Sequence, residues 1–245
     1  LMILDDMNKS IKNTKFKDLK KKCLASNKEL IKKNLSIQTF GNTSERLNEK
    51  YFTIKESGIN LNLIKSNEFS IIEIDTGKIV DGKLNPSSDT DTHRLLYKQY
   101  KKINGIAHGH PNYSTSWAQT GKPIPVLGTT HADYFKGNIP ITQKLKKNDI
   151  KNKYEYNTGV EIIKTLKRNK LDPKKCPGIL VTHHGVFSWG KSSLEAVNHL
   201  ELIEYIAMLA FNSIKIGIND KIDSNLVNKH FDRKHGHNFY YGQKK

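Results

Sequence analysis

Cysteine is scarce. The two residues present, Cys23 and Cys176, lie far apart and neither belongs to a CxxC pair. A thiolate metal site is therefore excluded, and at most one disulfide could form, with nothing in the pattern to support it. Long apolar runs are missing as well: no stretch approaches the roughly 18 residues that a membrane-spanning helix needs. The opening Leu1 to Leu4 is an apolar patch without signal-peptide architecture, so the cytoplasm is the expected location and no membrane partner is expected. Acidic residues are in the minority, 24 against 41 Lys plus Arg, for a net charge of +17. Such a charge invites a nucleic-acid reading, because Lys and Arg neutralise phosphates. The distribution argues otherwise. Basic residues are spread along the chain, mostly as Lys on helical stretches such as 15–33 and 144–153, with few interleaved aromatics and no nucleic-acid-binding motif. The charge reads as solvated surface, and its field favours capture of an anionic, phosphorylated small molecule.

No repeat, linker or low-complexity tract divides the 245 residues. The length suits one large domain, 15–245, behind a loose N-terminal tail, 1–14. Phe16, Leu19, Cys23, Leu24, Leu30 and Ile31 recur at helical spacing, predicting an amphipathic helix that ends near Asn34. Short β-rich segments follow at 37–40, 51–54 and 69–74, then a helix over 92–101 preceded by the capping run Pro86-Ser87-Ser88-Asp89. The pattern further predicts a strand over 103–110, a short helix over 114–119 and a Gly- and Pro-rich connection over 121–140. A helix over 154–169, a buried strand over 178–187, a long helix over 192–216 and a tail over 226–243, helical at first and then irregular, complete the reading. Most strand-to-strand connections are too short for parallel crossovers, which favours an antiparallel sheet covered by helices.

Histidine carries the chemical signal. His108 and His110 flank Gly109 at the end of a predicted strand, and residues two apart on a strand share a face, as chelation of one metal ion requires. His183-His184 ends the second buried strand, where neighbours face opposite ways, so only one can join the cluster; His183 is read as the one that hydrogen-bonds elsewhere. Gly185 allows close approach, and Asp89, at a helix N-terminus, could add a carboxylate. Three imidazoles and one carboxylate suit Zn²⁺ or a similar divalent ion. A second theme is anion binding. Ser87 and Ser88 precede a helix whose free N–H groups favour a phosphate, and Asn42 and the segment Lys55-Glu56-Ser57-Gly58 add polar groups at strand ends.

The stretches PSSDTDTHRLLY, HGH, WAQTGKPIPVLGTTHADYFKGNIP, HHGVFSWG and RKHGHNFYYGQ, in that order from about Phe16 to Gln243, closely resemble the class II aldolase and epimerase family. GTTHADYF and YYGQ are the most specific and point to its sugar-phosphate epimerases. The resemblance implies an α/β/α sandwich around a largely antiparallel sheet, single-domain, assembled as a homotetramer with active sites between subunits. It implies one zinc ion per subunit on Asp89, His108, His110 and His184. Asn42, Lys55, Ser57, Gly58, Ser87 and Ser88 match substrate-binding, mainly phosphate-binding, positions, and Asp133 and Tyr241 match the catalytic acid/base pair. The implied activity is metal-dependent inversion at C4 of a pentulose phosphate. Aldolases of the family typically carry Glu where this chain has Asp89, so the shorter carboxylate favours epimerisation over cleavage. A non-enzymatic scaffold such as the adducin head would lack the histidines, and all are present. The chain departs from the pattern at Glu56, where Pro is usual, at Thr182 and His183, and in about a dozen extra N-terminal residues.

Overall fold

The computed structural model describes residues 2–218, 220–236, 240 and 242, and of residues 2–12 the backbone alone. The chain opens with α1 (Met2–Lys32) and continues through β1 (Asn42–Arg46), β2 (Tyr51–Lys55), β3 (Phe69–Glu73), β4 (Ile79–Asp81) and α2 (Thr90–Gln99). Next come β5 (Gly105–Gly109), α3 (Asn112–Thr120), α4 (Thr129–Ala132), α5 (Lys147–Lys151) and α6 (Tyr154–Arg168). The hairpin β6 (Gly178–Leu180) and β7 (Val186–Gly190) leads into α7 (Ser193–Ile216) and α8 (Ser224–His235). Seven strands form one sheet in the order β4-β3-β2-β1-β5-β7-β6, and every neighbouring pair is antiparallel. No described helix is long and apolar enough to cross a membrane.

Strand β1, at the centre of this sheet, shows how the layers arise. Its five residues are polar or charged yet all buried, and a strand turns successive side chains to opposite faces. Thr43 and Glu45 turn one way: Thr43 receives Asn27 Nδ2 of α1 at 2.7 Å, and the Glu45 carboxylate accepts the Ser193 N–H that opens α7. Asn42, Ser44 and Arg46 turn the other way, toward α2, where Ser44 Oγ meets His93 Nδ1 at 2.7 Å and Tyr97 Oη at 2.8 Å. Helices therefore cover both faces, with α2 packed in turn on α6. Hydropathy cannot find such a strand, and the sequence reading has none at 42–46. Its burial is stable because most of its polar groups have partners supplied from elsewhere in the chain.

Elsewhere the pattern and the structure diverge for local reasons. Residues 37–40 form turns rather than a strand, with Ile37 and Phe40 exposed; Gln38 is in the left-handed region at φ 53°, which interrupts extension. The first residues, expected as a loose tail, continue α1, since no Gly or Pro lies between positions 2 and 32 to break it. Residues 178–187 are a strand, a tight turn and the start of a second strand. His183 takes φ 61° at that turn, closed by Val181 N–H to Gly185 O at 2.8 Å and His184 N–H to Val181 O at 3.0 Å. The expected helical spacing of α1 holds: Phe16, Leu19, Cys23 and Leu30 are buried.

Candidate active site

Sheet register builds the site. Near the end of β5, His108 lies opposite Asn42 of β1 on one side and Phe187 of β7 on the other. The imidazole of His108 stacks on the Phe187 ring, centroids 4.1 Å apart. His110 follows two residues on, and the β6–β7 turn delivers His184, so that one nitrogen from each of His108, His110 and His184 lies within 4.8 Å of the others. Two glycines permit this closeness. A Cβ on Gly109 would meet Leu35 O at 2.6 Å, and one on Gly185 would meet Gly109 O at 2.7 Å, His110 Cδ2 at 3.3 Å and His108 Cε1 at 3.4 Å. His183, rotated outward by its left-handed backbone, bonds the Gln119 carbonyl at 3.0 Å and stays outside the cluster. The two imidazoles diverge because of a turn, not because of strand alternation.

All three rings favour the neutral form. Burial pushes His108 well below the ordinary imidazole range, reinforced by its two neighbours. Burial likewise lowers His110 and His184, with Asp89 opposing the shift. His108 Nδ1 must donate to the Val186 carbonyl, 2.9 Å away, which leaves Nε2 as a bare lone pair facing His110 Nε2 at 3.0 Å. His184 Nδ1 is engaged by Tyr154 Oη at 3.1 Å. Neutral imidazoles with one nitrogen anchored and the other turned inward are the form in which histidine binds metal. Asp89 stands beside the three imidazoles. It opens α2 without capping it; its Oδ2 instead accepts Asn42 Nδ2 at 2.7 Å and lies 3.9 Å from His108 Nε2. The three nitrogens fit a divalent cation such as zinc, with the Asp89 carboxylate beside them.

Beside this cluster the ends of β2 and of the loop before α2 are joined by main-chain bonds, Ser57 N–H to Asn85 O at 2.8 Å and Ser87 N–H to Lys55 O at 2.9 Å. Asn42 links the two regions through Ser87 Oγ at 3.2 Å, and its own Oδ1 is buried with no partner among the described residues. Lys55 is buried beneath this rim, with its Nζ turned to the Glu56 and Ile59 carbonyls, at 3.4 and 3.5 Å. Desolvation lowers its pKa, partly offset by Asp89. Ser57, Gly58 and Ser88 are exposed, and Gly58, at φ +72°, has open space where a side chain would sit. A buried ammonium beneath exposed hydroxyls has the chemistry of a cradle for an anion.

Asp133 belongs to a different neighbourhood within the chain. It ends α4, and its carboxylate is gripped by α8: Arg233 Nε and Nη2 at 2.9 and 2.7 Å, His230 Nδ1 at 3.1 Å, and Lys234 Nζ at 3.7 Å. Burial alone would raise its pKa, but hydrogen bonds from Arg233 and His230 and the Lys234 charge outweigh it and hold the carboxyl below its usual range. None of these partners belongs to the imidazole cluster. Tyr241 lies outside the described residues. The sequence reading assigned no role to Tyr154, His230 or Arg233; the last two stand in or beside the RKHG stretch that contributed to the resemblance, whereas nothing local marks Tyr154.

The sequence pattern of the Class II Aldolase and Adducin N-terminal domain matches residues 21–211. Over 230 residues the chain is 44% identical to the L-ribulose-5-phosphate 4-epimerase UlaF of Salmonella paratyphi B, covering 92% of this chain and 99% of that one. The UlaF of Salmonella typhi is 43% identical over 229 residues, with the same coverage. Among solved structures, an L-fuculose 1-phosphate aldolase superposes with a TM-score of 0.75 at 22% identity, covering 88% of this chain and 95% of that one. The L-fuculose-1-phosphate aldolase of Thermus thermophilus gives 0.64 at 19%, covering 82% and 98%. At these identities the structural likeness is one of fold. With its antiparallel sheet, its helical layers and a pattern match across most of its length, the chain belongs to the class II aldolase and adducin N-terminal domain family.

Proposed function

We propose that the protein is a metal-dependent L-ribulose-5-phosphate 4-epimerase, interconverting L-ribulose 5-phosphate and D-xylulose 5-phosphate in the cytoplasm. The observation that carries this reading is the convergence of His108, His110 and His184 beside Asp89, with the anion cradle joined to it through Asn42. Relatives 43–44% identical over nearly their whole length bear that name.

The substrate dictates the route. C4 is not adjacent to the C2 carbonyl, so its hydrogen is not acidic and direct deprotonation cannot invert it. Removal of the C4 hydroxyl proton instead lets the C3–C4 bond break, its electron pair passing to the C2 carbonyl to leave an enediolate and glycolaldehyde phosphate. Rotation of the aldehyde about its tethered phosphate exposes the opposite face, C3 attacks again, and the new C4 alkoxide takes up a proton. A divalent cation, zinc in this reading, held one per subunit by Asp89, His108, His110 and His184, would supply Lewis-acid stabilisation of the charge that cleavage develops. Lys55, Ser57, Gly58, Ser87 and Ser88 would hold the phosphate through both half-reactions, and Asn42 Oδ1 would accept a substrate hydroxyl. Asp89 is too short to reach across and protonate the enediolate, which therefore survives to recombine.

Two proton-transfer groups are needed, one on each face of the aldehyde. In this reading they are Asp133 and Tyr241 of a neighbouring subunit in a homotetramer. The grip of Arg233 keeps Asp133 ionised, the form a base requires, although its lowered pKa makes it a weaker one. Exposed Tyr205, Leu209, Phe211, Ile214 and Ile216 on α7 support association of subunits. The deciding experiment is a coupled assay of the zinc-loaded protein on L-ribulose 5-phosphate, following both D-xylulose 5-phosphate and free glycolaldehyde phosphate. Xylulose 5-phosphate without escaped aldehyde is the expected result; cleavage products alone would move the protein to the aldolase side of the family.

A further inference from the structure

Glu56 is a buried carboxylate whose partners are not basic side chains. It is 1% exposed, and its Oε1 accepts the backbone N–H of Lys83 at 3.0 Å, that of Leu84 at 3.2 Å, and the Ser70 hydroxyl at 3.4 Å. The adjacent Lys55 does not neutralise it, since that ammonium turns to main-chain carbonyls. Burying a carboxylate is costly, and charge-assisted bonds from N–H and O–H donors are what offset the cost. The main chain of the same residue bridges Pro86. Glu56 therefore holds the loop 82–86 by its side chain at 83–84, while its neighbours Ser57 and Lys55 bond Asn85 and Ser87 through the main chain.

Burial adds little to this hold. Residues 79–85 are exposed, so burial contributes almost nothing to their order. Gly82 presses on the same anchor: at φ +149° a Cβ there would meet Ser70 Oγ at 2.4 Å. Yet this loop ends in Ser87, Ser88 and Asp89, whose placement decides the shape of the cradle and the aim of a predicted metal ligand.

We propose that Glu56 is a positioning residue that clamps the loop 82–86 to the end of β2 and so sets the spacing between Ser57 and Ser87–Ser88. The carboxylate acts through the Lys83 and Leu84 N–H groups and does not touch the substrate. This inference rests on the reading of the cradle as the phosphate site.

The test compares Glu56→Ala, which removes the acceptor, with Glu56→Gln, which keeps an Oε1 acceptor without the charge. Calorimetric titration with inorganic phosphate, KM and kcat for L-ribulose 5-phosphate, and bound zinc per subunit are measured for each. Glu56→Ala is expected to weaken phosphate binding and raise KM by about tenfold, as loss of one or two charge-assisted hydrogen bonds would, with kcat within about threefold of the unaltered protein. Zinc content should be unchanged, and Glu56→Gln should recover most of the affinity. Unchanged phosphate binding in Glu56→Ala, or zinc and kcat falling as KM rises, would overturn the proposal. Ser87→Ala, run alongside, separates the two readings. If it too leaves phosphate binding intact, the cradle assignment is wrong; if it alone weakens binding, only the role of Glu56 falls. Should Glu56→Ala not fold, Glu56→Asp carries the test, because the shorter carboxylate withdraws from Lys83 and Leu84. Weakened phosphate binding at an unchanged melting temperature is then expected, and unaltered binding overturns the proposal.

Discussion

Asn42 donates from Nδ2 to Asp89 Oδ2 across 2.7 Å, joining the central strand to the residue that opens α2. This bond turns the carboxylate away from its own helix, which it leaves uncapped, and toward the imidazoles. An outer partner of this kind orients a ligand and typically governs metal affinity by about 10–100-fold. Asn42→Ala should accordingly bind zinc more weakly by that order, measured by chelator competition, while His108→Asn or His110→Asn should lose both metal and turnover. Full zinc retention in the histidine variants would sink the ligand set.

Gly185 tests how tightly the cluster is packed. Its substitution by Ala places a methyl group 2.7 Å from Gly109 O and against both rings of the HxH pair. Because the closest neighbour is backbone, the turn must move and His184 with it. The expected result is weaker zinc binding with destabilisation of roughly 1–3 kcal/mol, the usual range for overpacking. Native zinc affinity in Gly185→Ala would show that the turn can absorb the change.

For the proposed acid/base pair, Asp133→Asn and Tyr241→Phe should each lower kcat by about 10²–10⁴-fold, the range of general acid–base contributions. Zinc content should stay normal in both. Turnover unchanged in either variant removes that residue from the mechanism.

Two buried histidines outside the ligand set predict acid sensitivity. Burial lowers His93 to about 3 and His131 to about 4. Both fold as neutral rings, whereas the unfolded chain binds protons below the ordinary value near ~6.5. Their contribution is therefore complete above that pH and is lost as pH falls toward the folded-state values, with a slope of about 1.4 kcal/mol per pH unit each. Urea midpoints of metal-free protein should fall steeply between pH ~6.5 and ~4.5, and His131→Gln should lose about half of the slope assigned to this pair. A flat profile across that window would contradict the burial argument.

Much of the site was legible because its signals are local. The HxH spacing needs only strand alternation to put two imidazoles on one face, and the run Pro86-Ser87-Ser88-Asp89 needs only a helix start after it. The long helices were legible for the same reason, from the 3.6-residue recurrence of Phe16, Leu19, Cys23 and Leu30. Strand β1 was not. Its polar residues read as a turn when taken alone and become a central strand only when α1, α2 and α7 bring them partners.

His183 and His184 show the same division. That only one of them could join the cluster followed from the sequence, but for a reason the structure replaces, a left-handed turn instead of an extended strand. The grip of Arg233 on Asp133, and of Glu56 on Lys83 and Leu84, spans separations of 100, 27 and 28 residues. By itself the sequence determined the residue types, their periodicity and the chemistry they can perform. The tertiary structure alone decided which carboxylate is turned toward histidine, which toward arginine and which toward backbone. Those choices depend on sheet register and on long-range burial, and no short stretch of chain contains either.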